Sequence, residues 1–546
     1  MICVPTATLN ISLWALLSVL IVPFLLYAEI HYRLPFWRGR FYQKLPEILF
    51  DAPLRIQTPN LPLLLLIKDA HWFPVHLQAV EIRLIDSSNR EIAKHRFTEE
   101  LAISDKWFTK IYPIPVADCP GQQIQIDACA ILATPKKRFH VHTDHYRGLS
   151  HRPLSTFIDA DPLPLPGDWR AGDLHCHSAW TEDQVEFGVP AASIPALAES
   201  MGLHFAALLD HSYDLDDRSD SWTEYDSELR KWHQSREAIT ELNRQNTGFL
   251  VLPGEEVSVD NGLGKTVHMG LLNHPHFVPG SGDSLEKGIR RLSEQYYARI
   301  LTDLEETAMA FAAHPFTRIP FLQRLLVRRG GWNPYDNHSA VEGFQIVNGV
   351  PSEIEAGKKK WIAKLLQGHR TRILAGNDAH GNFNRFRQVR LPLWKLHENE
   401  QQRFGEWMTY VHCPDPFSVE HLIRQLRYGE ITVSNGPFLA IRVGDRDGQI
   451  TAQCGTVRGL PERVHLEAGS TPHFGALQTI QLFLGNPETG QEACFMRQNL
   501  RPSNYDHSAT IPIGNPPATG YFRAELHTDK DKLAYTNPVW FQQTKR

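Results

Sequence analysis

Gly172-Asp173-Leu174-His175-Cys176-His177 is the stretch on which the reading of this chain turns. On an extended strand, side chains two apart share a face, so His175 and His177 point one way and Cys176 the other. The two imidazoles are spaced to grip one ion. Short apolar runs with polar tips recur downstream. Phe205 to Leu209 ends in Asp210-His211, and Phe249 to Leu252 leads into Pro253-Gly254-Glu255-Glu256. His268 precedes Met269 to Leu272, Met309 to Ala313 runs into His314-Pro315, and Arg372 to Ala375 runs into Gly376-Asn377-Asp378-Ala379-His380. Asp378 and His380 form a second same-face pair. Between the runs, Leu285, Ile289, Leu292, Tyr296, Ile300 and Leu304 recur at helical spacing and predict a helix over Ser284 to Glu306. Parallel strands joined by helices carry functional residues at their carboxyl ends, where these histidines and carboxylates fall, so the pattern predicts an α/β barrel.

Imidazole mixed with carboxylate suits Zn, Mn or Fe, whereas oxygen donors alone suit Mg or Ca. One ion that keeps a position open for water needs about four protein ligands at most. A set this large implies two or three divalent ions per chain. Such clusters lower the pKa of a bound water and clamp the oxygens of a transferring phosphoryl group, so hydrolysis is the expected chemistry.

In their order, His175-Cys-His177-Ser178, Asp210-His211, Gly254-Glu255-Glu256, His268, His314-Pro315 and Asp378-Ala379-His380 resemble the motifs of the PHP superfamily, named for polymerase and histidinol phosphatase. The resemblance covers roughly Arg170 to Gly381 and implies a distorted (β/α)7 barrel. It implies that His175, His177, Glu256 and Asp378 hold one ion, that Glu256 bridges to a second held by His268 and His314, and that a third sits with His211 and His380. A further family ligand falls seven or eight residues after the first histidine, at Glu182 or Asp183. Both stay open, because Thr181-Glu182-Asp183-Gln184 replaces the usual Ser-Asp-Gly there. Asp210 is expected to orient a neighbour rather than bind metal, as carboxylates around metal-bound imidazoles commonly do. Gly436-Pro437-Phe438 and Thr536-Asn537-Pro538 resemble a branch with an appended carboxyl-terminal β-sandwich.

The chain holds 27 histidines, most of which are expected to be surface or satisfied core residues. His204, His233 and His369 are read that way, and His274 and His276 only secondarily as pocket-lining. Cys176 is expected to pack in the core. Lys265, Arg318, Asn348 and Arg385 are candidates to contact a phosphate, with none singled out.

At 546 residues the chain is too long for one ordinary domain. Leu9 to Tyr27 is uncharged and mostly apolar, close to the roughly 20 residues that cross a bilayer, and residues 9–27 are read as a transmembrane helix. Arg33, Arg38, Arg40 and Lys44 follow it, which predicts a single-pass membrane protein with its body in the cytoplasm. Seven scattered cysteines give no disulfide framework. Alternating apolar and polar residues at Val80 to Leu84 and Ile124 to Ala128 predict an amino-terminal β-sandwich over 50–160. Asp161-Pro-Leu-Pro-Leu-Pro-Gly167 reads as a stiff linker, followed by the metallohydrolase barrel over 168–430. A carboxyl-terminal β-sandwich is expected over 431–546. The net charge of −5 argues against nonspecific nucleic-acid binding.

Together these readings predict a membrane-anchored, metal-dependent phosphoesterase acting on phosphate mono- or diesters. The expected partners are a phosphorylated small molecule or other ester substrate, and the membrane. A hydrolase of carboxylic ester, carbamate or amide bonds and a non-catalytic, metal-stabilised binding module are the alternatives.

Overall fold

The computed structural model describes residues 46–143, 153–181, 188–219, 221–284, 287–288, 290–332, 341–384, 388–390, 395–397 and 402–543. The runs singled out above form strands β1 (Trp169–Cys176), β2 (Phe205–Leu208), β3 (Leu250–Asp260), β4 (Thr266–Leu272), β5 (Met309–Ala312), β6 (Gly343–Val347) and β7 (Arg372–Ala375). They lie side by side in chain order in one sheet. Beyond β1 the sheet continues through β8 (Met408–His412) and β9 (Ile431–Ser434) to Leu533–Thr536, Thr519–Thr528, Leu477–Asn486 and Gln491–Asn499.

The expected α/β architecture, a (β/α)7 barrel between sandwiches with an amino-terminal transmembrane helix, is corrected by this topology. Among the described residues there are thirty-two strands against seven α-helices, so the fold is predominantly β. β1, β2 and β3 pair in parallel, but β3 with β4 and β4 with β5 are antiparallel. A turn over residues 261–265 therefore joins β3 to β4 where a barrel has a crossover helix. The sheet is also an open one of fifteen strands. β7 meets β1 only at the tips, through a single bridge between Cys176 and Ala379.

The helix expected over Ser284 to Glu306 shrinks to Tyr297–Thr302. Gly288 and Arg290 both take positive φ, which no α-helix continues through. Glu294 accepts hydrogen bonds from the backbone and hydroxyl of Ser281, while the Asp260 amide donates to Gln295 O. The described residues ahead of Tyr297 thus lie against the end of β3 as a loop.

No helix among the described residues is long and apolar enough to cross a membrane. The longest, Arg230–Gln245 and Pro351–Leu366, have sixteen residues each and carry charged side chains along their length. The expectation of a single-pass membrane protein with a cytoplasmic body is corrected accordingly, and the span at residues 9–27 lies outside the described residues.

The edge of the sheet at β7 is covered by side chains. Asn537 accepts from the Ile373 amide at 2.8 Å and donates to Ile373 O at 3.1 Å, while the Thr409 hydroxyl bonds both polar backbone atoms of Ala375 at 2.9 Å. Phe438–Asp445, Pro461–Gly469 and Asp506–Pro512 belong to a four-stranded sheet packed on the far half of the large one, where Ile441, Leu466, Ile480 and Phe522 are buried together. On the amino-terminal side, Val75–Ile85 and Gln122–Ala133 pair antiparallel with Ile82 opposite Ala128. Their apolar faces share a core with Leu63, Leu65 and Ile67 of a three-stranded sheet. Cys119 and Cys129 are free thiols.

Candidate metal centre

β1 delivers His175 and His177 to the middle of the sheet, where β2 and β8 flank it. Both imidazoles are buried and their Nε2 atoms lie 3.2 Å apart. Cys176 turns away, as strand alternation requires, and its thiol contacts Ala207 O at 3.2 Å. Glu255 and Glu256 face opposite ways on β3 for the same reason. Glu255 accepts from the Trp232 indole at 2.8 Å and neighbours Arg236, a structural assignment, whereas Glu256 enters the cluster.

Glu256 touches five imidazoles. Its Oε1 lies 2.6 Å from His268 Nδ1 and 2.8 Å from His314 Nε2. Its Oε2 lies 3.1 Å from His211 Nδ1 and 3.6 Å from Nε2 of both His175 and His177. Asp378 Oδ1 adds contacts of 3.0 Å to His177 and 3.3 Å to His175. His314 and Asp378 adopt positive φ, a conformation costly to residues with a Cβ, which turns each side chain back over the strand ends. His380 stacks on His177 with ring centroids 4.3 Å apart. Two groups of donor atoms result, His175, Glu256, His314 and Asp378 in one and His177, His211 and His380 in the other, each with its atoms within 4.8 Å of one another.

Buried neighbours aim these ligands. Gln345 Oε1 lies 2.8 Å from His175 Nδ1 and accepts from the His314 amide at 3.2 Å. Thr181 Oγ1 lies 3.3 Å from His177 Nδ1. Asp210 does not reach the cluster. It accepts from the amide and hydroxyl of Ser178 at 2.7 and 2.8 Å and from those of Thr181 at 3.1 and 2.7 Å, pinning the turn after the histidine pair. Asp283, which the sequence reading passed over, lies with its Oδ2 2.7 Å from His268 Nε2. It stands one residue ahead of the helix expected from Ser284, where no motif marked it. Gln345 has no sequence signal beyond a polar residue within an apolar strand.

Burial opposes ionisation of Glu256, but His268 and His175 outweigh it and hold the carboxyl well below the usual range. Asp378 is lowered in the same way, mainly by His175. Burial depresses His177 and His314, whereas at His175 the carboxylates of Asp378 and Glu256 prevail over burial and raise the imidazole to about 9. Protons on some imidazoles thus occupy a space lined by ionised carboxylates, the exchange that a divalent cation reverses when it binds.

The donor set fits such ions. Ligands about 2.0–2.2 Å from one metal stand roughly 3.0–3.5 Å apart at tetrahedral or octahedral angles, close to the 3.0, 3.2 and 3.3 Å separations among His175, His177 and Asp378. His211 Nδ1 is buried and faces Glu256 Oε2 at 3.1 Å, a position from which it can turn to an ion.

Of the other expected residues, Glu182, Asp183 and Arg385 lie outside the described residues. Asn348 donates to Asp378 Oδ2 at 3.4 Å. Arg318 lies along a small cavity bordered by His268 and His314, and Lys265 packs against Gly330. His274 pairs with its neighbour through a 2.7 Å contact from Nδ1 to His276 O.

No family model matches the chain, and no curated protein does either. Solved structures give weak likenesses. A β-glucuronidase from Parabacteroides merdae is 9% identical with a TM-score of 0.19, over 91% of this chain and 66% of that one. A putative β-galactosidase from Bacteroides fragilis is 8% identical with a TM-score of 0.20, over 92% and 74%. A β-glucuronidase from Bacteroides uniformis is 12% identical with a TM-score of 0.18, over 94% and 62%. This chain thus spans less than two thirds of the length of either β-glucuronidase. Likenesses at such scores carry no argument about fold or substrate.

The expectation of a membrane-anchored phosphoesterase is corrected at this point. No described helix is long and apolar enough to cross a membrane. Arg329, one of the cations bordering the cluster, is bonded to Asp283 and lies against His268.

Proposed function

We propose that the protein is a metal-dependent hydrolase of the PHP type its motifs resemble, with at least two divalent ions, Zn, Mn or Fe, held around Glu256. The observation that carries this reading is one buried carboxylate contacting five imidazoles from four separate chain segments, with a second carboxylate, Asp378, on two of the same imidazoles. His175, His177, Glu256 and Asp378 are the residues to hold one ion, and His268, His314 and Glu256 those to hold another. His211 and His380 remain for a third with His177. Bound ions of this kind lower the pKa of water toward neutrality and polarise the bond under attack.

The chain's own contribution is orientation and dryness. Gln345 fixes the His175 ring, Thr181 faces His177, and Asp210 holds the turn that carries Thr181. Full burial of His175 and near-complete burial of Glu256 keep bulk water from competing for them.

The test uses the full chain, its metal content, and a panel of chromogenic esters, amides and glycosides, each assayed with and without a chelator. Bound metal near two or more equivalents and turnover lost on chelation, then restored by Zn or Mn, are the expected results. Turnover indifferent to chelation would overturn the reading.

A further inference from the structure

His268 is gripped from both sides. Its Nδ1 lies 2.6 Å from Glu256 Oε1 and its Nε2 lies 2.7 Å from Asp283 Oδ2. Asp283 also accepts from the Ser258 hydroxyl through Oδ1 and from Arg329 through Oδ2. Ser258 and His268 sit directly opposite each other on β3 and β4, so the one carboxylate spans the ladder and locks to both strands. The loop that brings it there bridges Ser258 at Ser281. It then passes Gly282, where a Cβ would collide with the Ser293 hydroxyl. Close approach of this loop therefore requires the glycine.

We propose that Asp283 is a positioning residue for the metal centre. Its Oδ2 sits at Nε2 of His268, a place it shares with Arg329 Nη1, and holds the ring with Nδ1 turned to where Glu256 and His314 converge. A carboxylate behind a ligating imidazole restricts ring rotation and raises its basicity. Arg329 completes the charge balance on the side away from Glu256.

This inference rests on the metal-centre reading above, and its test separates the two. Zn(II) affinity of the metal-stripped full chain is measured by competition with a chromogenic chelator, for wild type, Asp283→Ala, Asp283→Asn and Arg329→Ala. Melting of each metal-free protein is recorded alongside. Asp283→Ala is expected to weaken one Zn site by about 10- to 100-fold, with the remaining Zn equivalents unchanged. Asp283→Asn, which keeps an acceptor but loses the charge, is expected to recover part of that loss, and Arg329→Ala to show a smaller effect than Asp283→Ala. Equal Zn affinity in wild type and Asp283→Ala, or an equal loss in Arg329→Ala, would make Asp283 a structural ion-pair partner only and overturn the proposal. Wild type that binds no Zn would overturn the metal-centre reading and this inference with it.

Discussion

His175-Cys-His177 and His274-Pro-His276 share one spacing and have opposite surroundings. The first pair ends a central strand, with parallel β2 on one side and β8 on the other, so carboxylates from β3 and from beyond β7 converge on it. The second lies in the turn after β4, where His274 contacts the backbone of His276 and His276 is exposed. Spacing aims two side chains, but only a position at the strand ends in mid-sheet brings other segments within reach of them. A histidine pair becomes a candidate site through what faces it.

The contrast can be broken most directly by substitution. His175→Ala is expected to lower turnover by about 10³-fold or more, given the several kcal/mol that metal assistance supplies, and to remove bound metal measured by atomic absorption. Glu256→Gln is expected to do the same, and His276→Ala to do neither. Full metal content in Glu256→Gln would erase the distinction between the two pairs. Chelation should next cost the folded protein about 3 kcal/mol relative to metal at a hundred times its dissociation constant, read as a lower denaturant midpoint. The same shift should be absent in His175→Ala.

A histidine outside both pairs sharpens the comparison through pH. Burial, with Arg170 adding to it, lowers His204 to about 4, and its Nδ1 accepts from the Ala171 amide at 3.2 Å. Between pH 6.5 and 4 the unfolded chain binds a proton there that the folded chain refuses, so stability falls as pH falls across that window. A loss of about 2 kcal/mol is expected from this group after allowing for its partial exposure, and His204→Gln should flatten that part of the pH profile in chemical denaturation. Cys176→Ser should cost only about 1 kcal/mol and leave metal content unchanged. Reduced metal in that variant would mean that Cys176 faces the cluster after all.

The strands around the cluster were legible because each is a short apolar run ending in a polar tip, a pattern local enough to survive any topology. The tertiary arrangement was less so. Antiparallel pairing of β3 with β4 depends on a tight turn near Asn261 and Gly262, which apolar spacing does not report. Leu285 to Leu304 matched a helix by period, yet Gly288 and the capture of Ser281 by Glu294 decide that segment. Asp283, just ahead of that stretch, carried no signal of its own. Glu255 and Glu256 were adjacent and equivalent in the sequence, and only the pleat of β3 assigns one to Trp232 and the other to the imidazoles.

Asn537 has a consequence beyond its hydrogen bonds. One amide side chain performs for Ile373 what a neighbouring strand would, and it comes from nearly the far end of the chain. The carboxyl-terminal region is therefore a lid on an adhesive border: shorten the chain before this residue, and the strand leading to Asp378 offers unpaired backbone to the next molecule. Bare strand borders recruit partners of the same kind, so the segment that carries Asn537 guards solubility as well as the site.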